Sequence, residues 1–111
     1  QPVRDGNSVL RLLHYPPTPP RPEGVRAEAH EDINVITLLL GAEEAGLQLL
    51  TTEGEWLDVS PPEGSLVVNV GDMLQRLTNG KLRSTTHRDQ PGAGACALAA
   101  LFDPVLPALC A

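Results

Sequence analysis

The sequence predicts an all-β fold, and three observations carry that prediction. Short runs rich in Val, Leu and Ile recur through residues 9–88, turns rich in Gly and Pro separate them, and no long amphipathic helical pattern occurs. β-Sandwiches, barrels and jelly rolls all share these features, so the pattern alone leaves the three open. A chain of 111 residues is long enough for one small domain with a single core.

The predicted strands follow in order along the chain. Residues 9–15 (VLRLLHY) form the first and lead into a proline cluster at residues 16–22. Residues 33–40 (INVITLLL) are almost continuously apolar, so we expect this strand to be covered on both faces. Residues 73–80 (MLQRLTNG) fit either a helical turn or a strand and end in an Asn-Gly turn signal. Further strands are predicted at residues 47–51, 55–60, 65–70 and 81–88.

The composition changes after Arg88. Residues 89–111 are dominated by Ala, Pro and Leu, show no period, and are expected to form a loop with one short helix. The chain is therefore divided into a β core at residues 1–88 and an aberrant tail at residues 89–111. Cys96 and Cys110 lie in this tail without metal-ligand or disulfide spacing, so no role is assigned to them.

Charge and hydropathy exclude some partners. The net charge is −6, with 14 acidic and 8 scattered basic residues, which argues against nucleic acid or an anionic membrane surface. No apolar run approaches the roughly 20 residues that cross a bilayer, and no signal-peptide pattern is present, so the cytoplasm is the predicted location. The chain opens with Gln1 and its one methionine is Met73, from which we expect a further N-terminal part of the same protein.

A histidine and an aspartate stand two residues apart directly before the most apolar strand. Successive side chains of a strand point to opposite faces, so His30 and Asp32 would share a face while Glu31 points away. His87 ends the last predicted strand, and an antiparallel sheet rolled on itself could return it to this pair. Two histidines and one carboxylate leave three positions open on iron, as in non-haem Fe(II) oxygenases. Surface polar residues that bind no metal can show the same spacing. Spacing alone therefore does not distinguish a metal site from such residues.

A family resemblance favours the metal site. The stretches "LRLLHYPPTPPRPEGVRAEAHEDINVITLLL" and "GLQLLTTEGEWLDVSPPEGSLVVNVGDMLQRLTNGKLRSTTHR" closely resemble the C-terminal catalytic region of the isopenicillin N synthase-like Fe(II)/2-oxoglutarate dioxygenases. This resemblance implies a partial double-stranded β-helix, a distorted jelly roll lacking its N-terminal region and last strands. It implies iron ligation by His30, Asp32 and His87, with 2-oxoglutarate, O2 and a small organic substrate as partners. Tyr15 would bind the cosubstrate, although an aromatic ring packed on the following prolines fits that position equally well.

The chain departs from the family after Arg88. Relatives carry an R-x-S motif on a late strand, whose arginine holds a carboxylate of 2-oxoglutarate, whereas no arginine follows Arg88 here. A shift of one nucleotide in suitable codons would give the tail an Arg-Tyr-Ser motif, so we hypothesise a frameshift at this point. The chain could then be an inactive remnant of an oxygenase, and a non-catalytic cupin-like metal module is a further alternative. Without its neighbouring parts, the chain is expected to be marginally stable.

Overall fold

The structure, a computed structural model, describes residues 4–16, 27–40, 46–90 and 95–102. These ranges contain eight strands and one short helix. The elements are β1 (Val9–Tyr15), β2 (Ala27–His30), β3 (Ile36–Leu40), β4 (Leu47–Leu50), β5 (Trp56–Asp58), β6 (Leu66–Val70), α1 (Asp72–Leu77), β7 (His87–Asp89) and β8 (Ala95–Phe102).

The strands form two four-stranded antiparallel sheets. One has the order β1-β8-β3-β6, and the other has the order β2-β7-β4-β5. Only β4 and β5 are neighbours both in sequence and in a sheet, so nearly every pairing joins distant parts of the chain. This is a jelly-roll arrangement, as predicted. A cavity of about 190 Å³ lies between the sheets, where apolar side chains of β3, β4 and β6 line it together with polar ones.

The pairing of β3 with β6 separates two faces of the first sheet. Thr37 lies opposite Asn69, and the adjacent pair Leu38 and Val68 belongs to the other face. That outer face is open, since Val68 is 60% exposed. The expectation that residues 33–40 are covered on both faces is therefore wrong for this chain. Leu10, Leu12, Leu40 and Leu66 of the same sheet are also exposed.

The buried core is small. Among the described residues, the buried ones are Val35 at 5% exposure, Asn34 at 2% and Gly71, and the first two lie just before β3. The Gly71 backbone packs directly against Asn34, so the start of α1 is held close to this point. Three backbone hydrogen bonds join residues 71–73 to residues 32–35: Gly71 N to Val35 O (2.9 Å), Asp72 N to Asp32 O (2.7 Å) and Met73 N to Asn34 O (3.1 Å).

Several predicted boundaries differ from the structure. The strand expected at residues 33–40 begins only at Ile36, and the strand expected at residues 81–88 is short and begins at His87. β2 was not predicted. The helical alternative holds for part of residues 73–80, because α1 ends at Leu77. Most of the proline cluster, residues 17–22, lies outside the described residues.

The tail differs most from expectation. A loop and a short helix were predicted after Arg88, and this is wrong over Ala95–Phe102, which forms β8. Ala and Leu favour helix locally. β8, however, pairs with β1 on one side and β3 on the other, so ladder hydrogen bonds on both sides override that preference. No helix in the described part of the chain is long and apolar enough to span a membrane.

Candidate metal centre

Strand pairing brings the three candidate ligands together. His30 is the last residue of β2 and lies opposite His87, the first residue of β7. A register irregularity in β2 precedes His30, and the two imidazole rings have centroids 4.4 Å apart. Asp32 follows in the connection to β3. The prediction that His30 and Asp32 lie on one strand is wrong, because β2 ends at His30.

The ligand atoms face one another. Oδ1 of Asp32 lies 3.7 Å from Nε2 of His30 and 3.7 Å from Nε2 of His87. Two atoms that each bind a metal at about 2.1 Å can be at most about 4.2 Å apart, so these separations suit a shared ion. The Asp32 and His87 side chains are mostly buried, at 17% and 15% exposure, whereas His30 is 46% exposed. The site therefore opens to solvent on the His30 side.

Both histidines direct Nε2 toward Asp32. Nδ1 of His30 lies 2.6 Å from the Glu28 carbonyl oxygen, and Nδ1 of His87 lies 3.1 Å from the Thr85 carbonyl oxygen. A carbonyl oxygen can only accept, so each Nδ1 must carry the proton and donate it. The lone pair of each neutral ring is then on Nε2, the atom that faces Asp32. Metal-binding histidines are commonly fixed by this kind of outer bond. The donor set and its tautomers thus fit a divalent metal such as Fe(II).

Asp32 is anchored through its other oxygen. Oδ2 accepts hydrogen bonds from the Thr37 hydroxyl at 2.7 Å and from the Asn69 amide at 2.8 Å. Neither donor was predicted from the sequence. One signal was available, because each is the polar residue within an otherwise apolar stretch, ITLLL or LVVNV. Only the register, which places Thr37 opposite Asn69, shows that they meet at one carboxylate.

Two neighbouring residues, Glu31 and Arg88, face away from the metal site, and for Glu31 this was predicted. Glu31 accepts a hydrogen bond from the Thr86 hydroxyl at 2.8 Å and lines a separate polar cavity. Arg88 donates to the Gln48 side chain at 2.8 Å and stacks on Trp56, with its guanidinium 3.9 Å from the ring centroid. Neither side chain competes for the metal site.

The cosubstrate residues are less fully defined. Tyr15 ends β1, where its backbone pairs with Ala95 at the start of β8. Its side chain lies outside the described part of the structure. β8 carries no arginine or lysine along Ala95–Phe102, so the described strand supplies no cation for a cosubstrate carboxylate.

A two-sheet jelly roll whose strands bring two histidines and an aspartate together is the architecture of a non-haem iron oxygenase. The model of the 2OG-Fe(II) oxygenase superfamily matches residues 6–95, and the chain belongs to this family.

Curated relatives agree with this assignment. The chain is 44% identical over 84 residues to the 2-oxoglutarate-dependent dioxygenase citB of Monascus ruber, a match covering 71% of this chain and 26% of that protein. It is 40% identical over 83 residues to gibberellin 3-beta-dioxygenase 4 of Arabidopsis thaliana, covering 75% of this chain and 23% of that protein. The chain thus spans about a quarter of the length of these relatives.

Solved structures match over a larger share of the chain. A Caulobacter crescentus protein assigned to the 2OG-Fe(II) oxygenase family is 51% identical with a TM-score of 0.84, covering 94% of this chain and 35% of that one. A full-length Neurospora crassa protein in complex with alpha-ketoglutarate and thymine is 35% identical with a TM-score of 0.86, covering 93% and 35%. These matches confirm the predicted family and the partial jelly-roll fold.

Proposed function

We propose that this chain is the metal-binding core of a non-haem Fe(II)-dependent oxidoreductase that uses 2-oxoglutarate and O2 to oxidise a small organic substrate. The observation that carries the proposal is the convergence of His30, Asp32 and His87, with both Nε2 atoms directed at one carboxylate oxygen. When bound, Fe(II) together with 2-oxoglutarate activates O2, and the cosubstrate leaves as succinate and CO2. The chain's own residues hold the ion and keep its remaining positions open.

Each ligand has a defined part in this proposal. His30 and His87 would bind through Nε2, since their Nδ1 protons are committed to backbone carbonyls. Asp32 would bind through Oδ1 and neutralise one of the two positive charges. His30 is the most exposed of the three and borders solvent. Substrate and cosubstrate would therefore approach from that side.

Cosubstrate binding is the weak point of this chain. We propose Tyr15, at the end of β1, as a hydrogen-bond donor to 2-oxoglutarate, because its place in the HYPP stretch resembles that of the residue from which the family often binds the cosubstrate. A hydroxyl cannot replace the planar two-pronged guanidinium that usually binds a carboxylate. We therefore expect the metal to bind and the cosubstrate to bind poorly. We also propose that the chain divides at Arg88 into a β core at residues 1–88 and an aberrant tail at residues 89–111. The tail would lack the arginine that binds the cosubstrate.

A further part of the same protein is proposed to cover the outer face of the β1-β8-β3-β6 sheet. Leu12 on that face is 85% exposed, and Leu10, Leu66 and Val68 are exposed beside it. Contiguous apolar surface of this kind marks a site that another element covers. An N-terminal part packed on this face would complete the core. We further propose a cytoplasmic location, which imaging of the tagged full-length protein would test.

The ligand assignment is tested by metal titration. Co(II) should bind the unmodified chain in a 1:1 ratio, and His30→Ala should abolish stoichiometric binding. His14→Ala is the matched control, because His14 lies on β1 and is not among the converging residues. Equal binding by His30→Ala and the unmodified chain would refute the assignment.

A turnover assay separates the enzyme from its alternatives. Succinate formed from 2-oxoglutarate in the presence of Fe(II) and O2 marks an oxygenase, and neither an inactive remnant nor a cupin-like module would form it. For this chain alone we expect none, because β8 carries no cation. Succinate production dependent on His30 would contradict that expectation and establish the fragment as active.

A further inference from the structure

The two oxygens of Asp32 have different surroundings. Oδ1 faces the two histidine Nε2 atoms, each 3.7 Å away. Oδ2 accepts two hydrogen bonds, from Thr37 Oγ1 at 2.7 Å and from Asn69 Nδ2 at 2.8 Å. Thr37 and Asn69 are direct cross-strand partners on β3 and β6, so both donors come from one rigid part of the sheet. One carboxylate oxygen therefore faces the metal site, and the other is held by hydrogen bonds from the sheet.

The direction of the Thr37 bond follows from its neighbours. Asn34 Nδ2 donates to Thr37 Oγ1 at 2.9 Å and to the Ile36 carbonyl oxygen at 3.2 Å. Reversing this amide would set two acceptors against each other, so its orientation is fixed. The Thr37 hydroxyl accepts from Asn34, which leaves its single proton free for Asp32. Asn34 itself is 2% exposed and packs against the Gly71 backbone, so the chain of donors has little room to move.

We propose that Thr37 and Asn69 are positioning residues that keep Asp32 a one-oxygen ligand and thereby set the number of open positions on the metal. This inference rests on the proposed function and deepens it. A six-coordinate ion bound by two imidazoles and one oxygen has three positions left. A chelating 2-oxo acid would need two of them, which would leave the third for O2. If Asp32 bound through both oxygens, only two positions would remain, and cosubstrate and O2 could no longer bind together.

The number of open positions can be counted with Mn(II), because each one holds a water that relaxes solvent protons. Water-proton relaxivity of the Mn(II)-loaded chain should correspond to three inner waters. Thr37→Val removes the donor at nearly constant shape, and Asn69→Ala removes the other. In the double variant, Asp32 is free to rotate into two-oxygen binding, so inner-sphere relaxivity should fall by about one third, from three waters to two. Thr37→Ser alone keeps the hydroxyl and should retain three.

The outcomes separate this inference from the metal-site proposal. Mn(II) binding with three waters in both the unmodified chain and the double variant would overturn the inference and leave the metal site standing. Two waters in the unmodified chain would overturn it as well. Loss of Mn(II) binding in both single variants also counts against it, because the inference requires Asp32 to remain a ligand. If the unmodified chain binds no Mn(II), the metal site itself fails, and the inference fails with it.

Discussion

Replacing Gly71 by Ala should weaken metal binding, although Gly71 lies outside the ligand set. Its φ of −95° is open to alanine, so the backbone conformation itself adds no strain. A Cβ at this position would, however, meet the Asn34 backbone carbonyl and would come within 2.5 Å of its side-chain oxygen. The two segments must separate, which strains the three backbone hydrogen bonds between residues 71–73 and Asp32, Asn34 and Val35.

The magnitude follows from those bonds. At about 0.5–1.5 kcal/mol each, losing three costs about 1.5–4.5 kcal/mol. A chain with so small a buried core has little stability in reserve, so the cost appears as a lower population of the binding-competent state. Co(II) affinity should therefore fall by about 10- to 1,600-fold, at about 1.4 kcal/mol per tenfold.

Gly54→Ala is the matched control for this prediction. Gly54 has a φ of +86° and no atom within 4 Å of an added Cβ, so its cost is conformational alone. That cost is about 1 kcal/mol, or about fivefold in affinity. Both changes are Gly to Ala, so their effects on the unfolded chain are alike. If Gly71→Ala binds Co(II) as tightly as Gly54→Ala, the steric reasoning is refuted.

Three further predictions concern the thermal stability of the chain, the apolar outer face of the β1-β8-β3-β6 sheet and the DNA that encodes the tail. Without metal the chain should show no sharp thermal transition by circular dichroism, whereas Co(II) at 100 times its Kd should stabilise it by about 2.7 kcal/mol; a sharp transition in the metal-free chain would contradict this. Because Leu10 and Leu12 are exposed on the outer face, copies of this chain should associate through that face. Leu10→Lys combined with Leu12→Lys should then reduce self-association in sedimentation velocity and leave Co(II) affinity unchanged, and equal self-association would count against association through this face. Sequencing the encoding DNA should reveal an R-x-S motif in a neighbouring frame just after Arg88, and its absence from both other frames would dispose of the frameshift hypothesis.

The sequence was sufficient to select His30, Asp32 and His87, because few residue types can hold iron and these matched a family pattern. One step of that prediction was wrong. Strand alternation was used to place His30 and Asp32 on one face, yet the strand ends between them. Their proximity instead depends on the pairing of His30 with His87 and on the sheet that holds Asp32. The assignment of these residues as ligands stays a prediction until metal binding is measured.

Thr37 and Asn69 show what a single sequence does not contain. Each is visible as a polar residue in an apolar strand, and each alone could be an accident of composition. Their common target depends on register, and a slip of one residue would send one of them to the opposite face. Long-range register is set by the packing of the whole sheet, which local pattern does not encode.

In the tail, the pairing of β8 and the binding of the cosubstrate depend on different groups. β8 pairs with β1 and β3 through backbone groups, and those ladders form whether the side chains are Ala and Leu or an R-x-S motif. The sheet can therefore hold β8 as an inner strand through its backbone, whatever its side chains are. Cosubstrate recognition depends on side chains instead, and Ala95–Phe102 itself carries no guanidinium for a cosubstrate carboxylate. Fold and cosubstrate recognition therefore rest on different parts of this strand, the first on its backbone and the second on its side chains.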